Sequence, residues 1–149
     1  MRMVVQRVRD ARVEVEDRVV GSIERGLLVF LGVARSDTNR DADYLVDKAV
    51  GLRIFPDELG KMNCNIIQAH GSLLVISQFT LYGDCRRGLR PSFDQAAAPE
   101  DARRLYEYFL EVVRSRCIPV ASGIFQASMQ VHLTNDGPVT ILLDSEKLF

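Results

Sequence analysis

At 149 residues, with 47% hydrophobic and 26% charged residues, the chain has the size and balance of one globular domain spanning 1–149. No apolar run approaches the ~20 residues a membrane helix needs, and Met1 to Arg7 lacks a signal-peptide core, so a cytoplasmic protein is expected. A net charge of −1 argues against a protein that coats nucleic acid by bulk electrostatics, while leaving local contacts open.

In chain order, residues 3–8 read as a strand. Residues 12–16 alternate cleanly, and Asp17-Arg18 turns them into 19–23 as a hairpin. The continuous apolar run 26–33 reads as a central strand. Thr38-Asn39-Arg40-Asp41 has the form of a capping box, followed by apolar residues at helical spacing to about Val50. A short strand is expected over 52–55, a loop over 57–60, and irregular chain over 61–71. Leu73 to Ile76 reads as a buried strand, and a long loop then runs past Pro91 and Ser92. Pro99 is placed to open a second helix, with Ala102, Leu105, Tyr106, Phe109, Val112 and Val113 on one face. Strands are expected over 119–121, 125–133 and 139–143. Many strands with two helices give an α+β fold with a mainly antiparallel sheet, short enough in its strands to curl into a barrel-like core.

Cys64, Cys85 and Cys117 are odd in number, far apart and without a CxxC, so neither a disulfide framework nor a metal site is expected. His70 and His132 have no neighbour at metal-ligand spacing, and His132 reads as a polar-face residue of an alternating strand. Gly-x-Ser-x-Gly, HExxH, P-loop and GxGxxG patterns are all missing. No strong general base stands out.

Two stretches carry chemistry. Ser77-Gln78-Phe79-Thr80-Leu81-Tyr82-Gly83-Asp84 turns an apolar strand abruptly polar at its end. That is a rigid place for hydroxyl, amide and backbone N–H donors, although Ser77 and Thr80 equally suit a plain strand terminus. Asn135-Asp136-Gly137-Pro138-Val139-Thr140 is turn vocabulary between alternating Met129 to Thr134 and apolar Ile141 to Leu143, and X-Pro bonds are trans in all but about 5–6% of cases. Arg86, Arg87 and Arg90 follow the first stretch; such a cluster is ordinarily a solvated loop, but beside a site it is a candidate for holding a phosphate backbone.

Together the two stretches resemble the signature motifs of the D-aminoacyl-tRNA deacylases, and the likeness extends to LRIF at Leu52, KMN at Lys61, RPSF at Arg90 and LLDS at Leu142. The resemblance implies a homodimer with a barrel-like core and two helices, acting without cofactor or metal on the 3′ end of aminoacyl-tRNA. The implied reaction is hydrolysis of the ester of D-aminoacyl-tRNA, and of glycyl-tRNA mischarged on tRNA-Ala. Ser77, Gln78, Phe79 and Thr80 would form the hydrolytic wall, with Thr80 favoured as organiser over nucleophile for want of an activating base. Gly137 and Pro138, as a Gly-cisPro pair entering the partner's site with Met129 nearby, would reject L-aminoacyl substrates; Arg7 would brace their loop. Gln126 and Ser128 depart from the family's pattern just before Met129. The alternatives are a related deacylase that edits an L-amino acid on mismatched tRNA, and a non-catalytic nucleic-acid-binding dimer.

Overall fold

A computed structural model describes residues 1–149. Its elements are β1 (Arg2–Val15), β2 (Arg18–Ile23), β3 (Gly26–Gly32), α1 (Asn39–Gly51), β4 (Phe55–Pro56), β5 (Met62–Cys64), β6 (Ser72–Ser77), a 3-10 turn (Phe79–Tyr82), α2 (Pro99–Ser115), β7 (Val120–Ser122) and β8 (Gln130–Asp144). The main sheet runs β2-β1-β3-β6-β7, with β8 along the other edge of β1.

Both helices serve crossovers. β1 pairs antiparallel with β2, β3 and β8, whereas β3–β6 and β6–β7 are parallel, and α1 and α2 lie in the two connections that parallel pairing demands. α1 begins as its capping box requires: the Asp41 carboxylate accepts the Thr38 backbone N–H at 2.8 Å and its hydroxyl at 2.9 Å. Pro99 is the first residue of α2, where its missing N–H costs nothing.

The central strands are buried on both faces, which is why they read as unbroken apolar runs. One face of β3 and β6 (Leu27, Val29, Leu31, Leu73, Val75) packs under the helices against Leu45, Val46, Phe109 and Val113. The other (Leu28, Leu74, Ile76) packs with Val8, Ala11, Val13 and Ile23 inside the curl of the sheet. Tyr106 donates its hydroxyl to the Val75 carbonyl at 2.8 Å, so the aromatic body of α2 is buried with its polar tip satisfied. The barrel is nearly closed where β2 meets β7: a Cβ on Gly21 would stand 2.6 Å from the Ser122 carbonyl oxygen. No helix is long and apolar enough to cross a membrane.

Some boundaries differ from expectation. β1 is one strand rather than two, because β8 follows it past Asp10 through two register shifts. The strand expected over 125–133 starts only at Gln130, since Gln126 takes φ +66° in a turn. The chain expected to be irregular over 61–71 contains β5, which pairs with β4. The strand expected over 52–55 shrinks to Phe55–Pro56.

Candidate functional site

β6 ends at Ser77, which is registered against Leu31, and the Gln78 N–H makes the last sheet bond, to the Leu31 carbonyl at 2.8 Å. The chain then folds into the 3-10 turn rather than continuing as strand. Its bonds begin with Leu81 N–H to the Gln78 carbonyl at 3.3 Å, so the N–H groups of Phe79 and Thr80 precede the first intra-turn bond and are not used by it. The Gln78 side-chain amide donates to the Thr80 hydroxyl, which keeps its own proton to donate. The turn is anchored from below: Tyr82 is buried beneath the Arg2 guanidinium, 4.5 Å from the ring centroid, and Arg2 also donates to the Leu81 carbonyl at 3.2 Å. Phe79 and Thr80 remain exposed, Phe79 by 58%. Phe79 meets Phe93 edge to face at 5.0 Å, and the pair offers an apolar shelf beside the hydroxyl and amide groups.

Met129 is half-buried and packs with the cluster of Leu74 and Ile76, on the face of β6 opposite to that of Ser77; a Cβ on Gly123 would lie 2.5 Å from its sulfur and 3.3 Å from the Ile76 side chain. Ser128, one of the two departures from the family pattern, is exposed ahead of it, while Gln126 accepts a hydrogen bond from Arg103 at 3.2 Å.

The second motif is extruded from β8. Between Gln6 and Val8 of β1, the partner strand advances from Thr140 back to Asn135, five positions against two. Residues 136–139 stand opposite Arg7 alone, a surplus of three. Asn135 closes the neck, accepting the Val139 N–H at 2.7 Å and donating to the Val139 carbonyl at 3.1 Å. Arg7, 9% exposed, holds the loop: its Nε donates to the Asp136 carbonyl at 2.8 Å and lies 3.4 Å from the Asp136 carboxylate. Its Nη1 donates to the Ile54 carbonyl. Gly137 and Pro138 are exposed at the tip, joined by a cis peptide bond.

Within one chain the two motifs stand apart. Ser77 is registered with Leu31 and Leu31 with Met3, whereas the loop leaves β8 opposite Arg7. Four residues along β1 amount to roughly 13 Å, and the three strand spacings from β8 to β6 to about 14 Å at right angles to it.

The remaining candidates are peripheral to this wall. Arg86 forks onto Asp84 at 2.6 and 2.9 Å, and this holds the Asp84 carboxyl well below the usual carboxylate range. Arg87 and Arg90 are exposed. His132 lies on β8 with Nε2 3.5 Å from the Glu14 carboxylate, which is itself held below its ordinary value chiefly by its bond from Arg12. The three cysteines are free, and no group of three or more His, Cys, Asp or Glu residues is placed to hold a metal ion. The anchoring of the turn by Arg2 had no signal in the sequence beyond residue type, whereas Tyr82 and Phe93 stand in stretches that carry the family likeness, which does not say what they pack against. The Asp84–Arg86 pair had a signal, being two residues apart.

A family model described as D-Tyr-tRNA(Tyr) deacylase matches residues 4–144. The chain is 60% identical over 147 residues to a D-aminoacyl-tRNA deacylase of Solibacter usitatus, covering 99% of this chain and 97% of that one. It is also 60% identical over 149 residues to a D-aminoacyl-tRNA deacylase of Thermotoga petrophila, covering both chains completely. Among solved structures, a c-Myc DNA unwinding element binding protein superposes with a TM-score of 0.91 at 39% identity, covering 97% of this chain and 98% of the other. A probable eukaryotic D-amino acid tRNA deacylase shares the fold at a TM-score of 0.80 and 18% identity, over 95% and 97% of the two chains.

Proposed function

The chain belongs to the D-Tyr-tRNA(Tyr) deacylase family, and from that premise we propose that it hydrolyses the ester between a D-amino acid and tRNA through the wall built at the end of β6. The observation that carries this reading is the pair of unspent N–H groups at Phe79 and Thr80, fixed on a turn that is anchored on both sides. An aminoacyl ester is an activated bond, and such a site needs to supply orientation and oxyanion stabilisation more than a strong base. Water attacks the carbonyl carbon, the N–H groups and the Gln78–Thr80 pair stabilise the developing oxyanion, and the ribose oxygen leaves with a proton. The neighbouring ribose hydroxyl is available to relay that proton. Ser77 and Gln78 orient the ester, and Phe79 offers its exposed face to the terminal base.

The same reading assigns the Gly137–Pro138 loop to a second copy of the chain. The separation of the two motifs within one chain supports this, because a loop braced by Arg7 and extruded clear of its own sheet is suited to enter a neighbour. Its main-chain carbonyls accept the substrate's α-amine, with Met129 beside them, and its backbone leaves no room for an L side chain. Glycine has no side chain to exclude, so glycyl-tRNA mischarged on tRNA-Ala is also a substrate. Arg86, Arg87 and Arg90 lie on the path of the RNA beyond its terminal base. The substrate places the work in the cytoplasm, where charged tRNA is used.

Matched D- and L-tyrosyl-tRNA test the reading. Cleavage of the D-ester alone supports it; cleavage of the L-ester means an editing deacylase; binding without cleavage means the nucleic-acid-binding alternative, which the 39%-identical c-Myc DNA unwinding element binding protein gives reason to include. Thr80→Ala is expected to keep D-ester turnover within about tenfold, the loss of one organising hydrogen bond. A nucleophile's removal costs roughly 10⁴-fold or more, so kcat for this variant separates the two roles.

A further inference from the structure

We propose that the lobe from Asp84 to Ser92 grips the sugar–phosphate backbone at the 3′ end of the tRNA through Arg87 and Arg90, while Arg86 is committed to holding the lobe's shape. This rests on the reading of the chain as a tRNA-ester hydrolase and gives that site its RNA contact. The lobe is closed at its base by two backbone bonds, Asp84 N–H to the Ser92 carbonyl at 2.8 Å and Ser92 N–H to the Asp84 carbonyl at 2.9 Å. Inside it the Arg86 guanidinium forks onto Asp84 at 2.9 and 2.6 Å, and the Arg86 backbone N–H reaches the same carboxylate at 2.9 Å. That cation is neutralised by a partner it meets in planar, two-point geometry, and it is a poor candidate for a phosphate.

Arg87 and Arg90 are different. Both are exposed, neither takes part in an ion pair or a side-chain hydrogen bond within the chain, and Leu89 between them is fully exposed. Two arginines without an ion-pair or hydrogen-bond partner on one small lobe give it local positive charge in a chain whose net charge is −1. The acids in and beside the lobe are Asp84, already paired, and Asp94 just beyond it, whose backbone N–H approaches the Ser92 hydroxyl at 3.4 Å. The tip stands clear of the body: a Cβ on Gly88 would meet nothing within 4 Å. The base does not: a Cβ on Gly83 would lie 3.1 Å from the Thr80 carbonyl oxygen, 3.2 Å from the Phe93 ring and 3.6 Å from Pro91. An ester seated on Thr80 therefore has its next phosphates within reach of this lobe.

The experiment is equilibrium binding of labelled, deacylated tRNA by fluorescence anisotropy over a series of KCl concentrations. Removing one phosphate contact on a single strand lowers the slope of log K against log salt by roughly 0.7. Arg87→Gln and Arg90→Gln are each expected to show that fall, and the double variant about twice it. Asp84→Ala with Arg86→Ala removes a pair without changing net charge and is expected to leave the slope as it was, even where affinity drops because the lobe loosens. Arg18→Ala, an exposed arginine on β2, is the control for charge loss elsewhere. An unchanged slope in the Arg87 and Arg90 variants overturns the proposal, and so does an equal fall in the Asp84/Arg86 variant. Hydrolysis of a D-aminoacyl-adenosine, which lacks the backbone, reads the hydrolase assignment separately. Tight, slope-sensitive tRNA binding by a protein that cannot cleave that small ester overturns the hydrolase reading and leaves the grip standing.

Discussion

Gly137→Ala is expected to lower kcat/KM for D-aminoacyl-tRNA by about 100-fold or more, in a protein that still folds. Gly137 has φ +146°, a backbone conformation that L side chains rarely adopt. A Cβ there would lie 2.7 Å from the Val139 methyl, 2.9 Å from the Val139 nitrogen and 3.1 Å from Arg7 Nη2. None of these neighbours is free to give way. The Val139 N–H is tied to the Asn135 side chain at 2.7 Å, and the guanidinium is pinned to both Asp136 and Ile54. The loop itself must move, and catalytic geometry is sensitive to displacements on the order of 1 Å. The stability cost is on the order of 1–3 kcal/mol for holding an unsuitable backbone, small enough to leave a cooperative urea transition. Gly51→Ala is the comparison: that Cβ would meet nothing within 4 Å at the end of α1, and it is expected to leave both activity and midpoint essentially unchanged. Normal D-ester turnover by Gly137→Ala would remove this loop from the reaction.

What could be read from residues alone was local. Thr38 and Asp41 announced α1, Pro99 opened α2, and the apolar runs at Leu27 and Leu73 marked strands buried on both faces. Pairing direction was not written there. β3, β6 and β7 run parallel because a helix lies in each connection, a property of the path rather than of the strands. The turn chemistry of Asn135 to Pro138 was visible, yet a turn between two strands and a loop extruded from one continuous strand have the same vocabulary. Only the register against β1, more than 120 residues earlier in the chain, separates them. The wall at Ser77 to Thr80 was found as a polar interruption of an apolar strand. The feature on which the proposed chemistry turns, two N–H groups left over by a 3-10 turn, depends on the strand stopping at Ser77, and polarity at Gln78 does not dictate that.

Arg7 links these levels, and its removal is the second large effect expected. It sits in β1 among buried apolar neighbours and spends its guanidinium on main-chain carbonyls from opposite directions, Asp136 in the loop and Ile54 ahead of β4. Arg7→Ala leaves both carbonyls without their donor and the Asp136 carboxylate, already 39% exposed, to water. Because that partner can be solvated, the cost belongs nearer the range for lost hydrogen bonds to a charged group, about 2–3 kcal/mol, than that for an orphaned buried ion. Activity should fall further than stability, by roughly 100-fold in kcat/KM, because the role proposed for the loop needs it held in place and this contact is what holds it. Arg7→Lys discriminates between charge and geometry. An ammonium on a flexible stem keeps the charge but cannot reach two carbonyls from one planar group, so it is expected to recover part of the urea midpoint and little of the turnover. Full rescue by lysine would mean that the loop needs only a cation beneath it. Loss of stability in Arg7→Ala with turnover intact would mean that Gly137 and Pro138 do their work, if any, without being held from below.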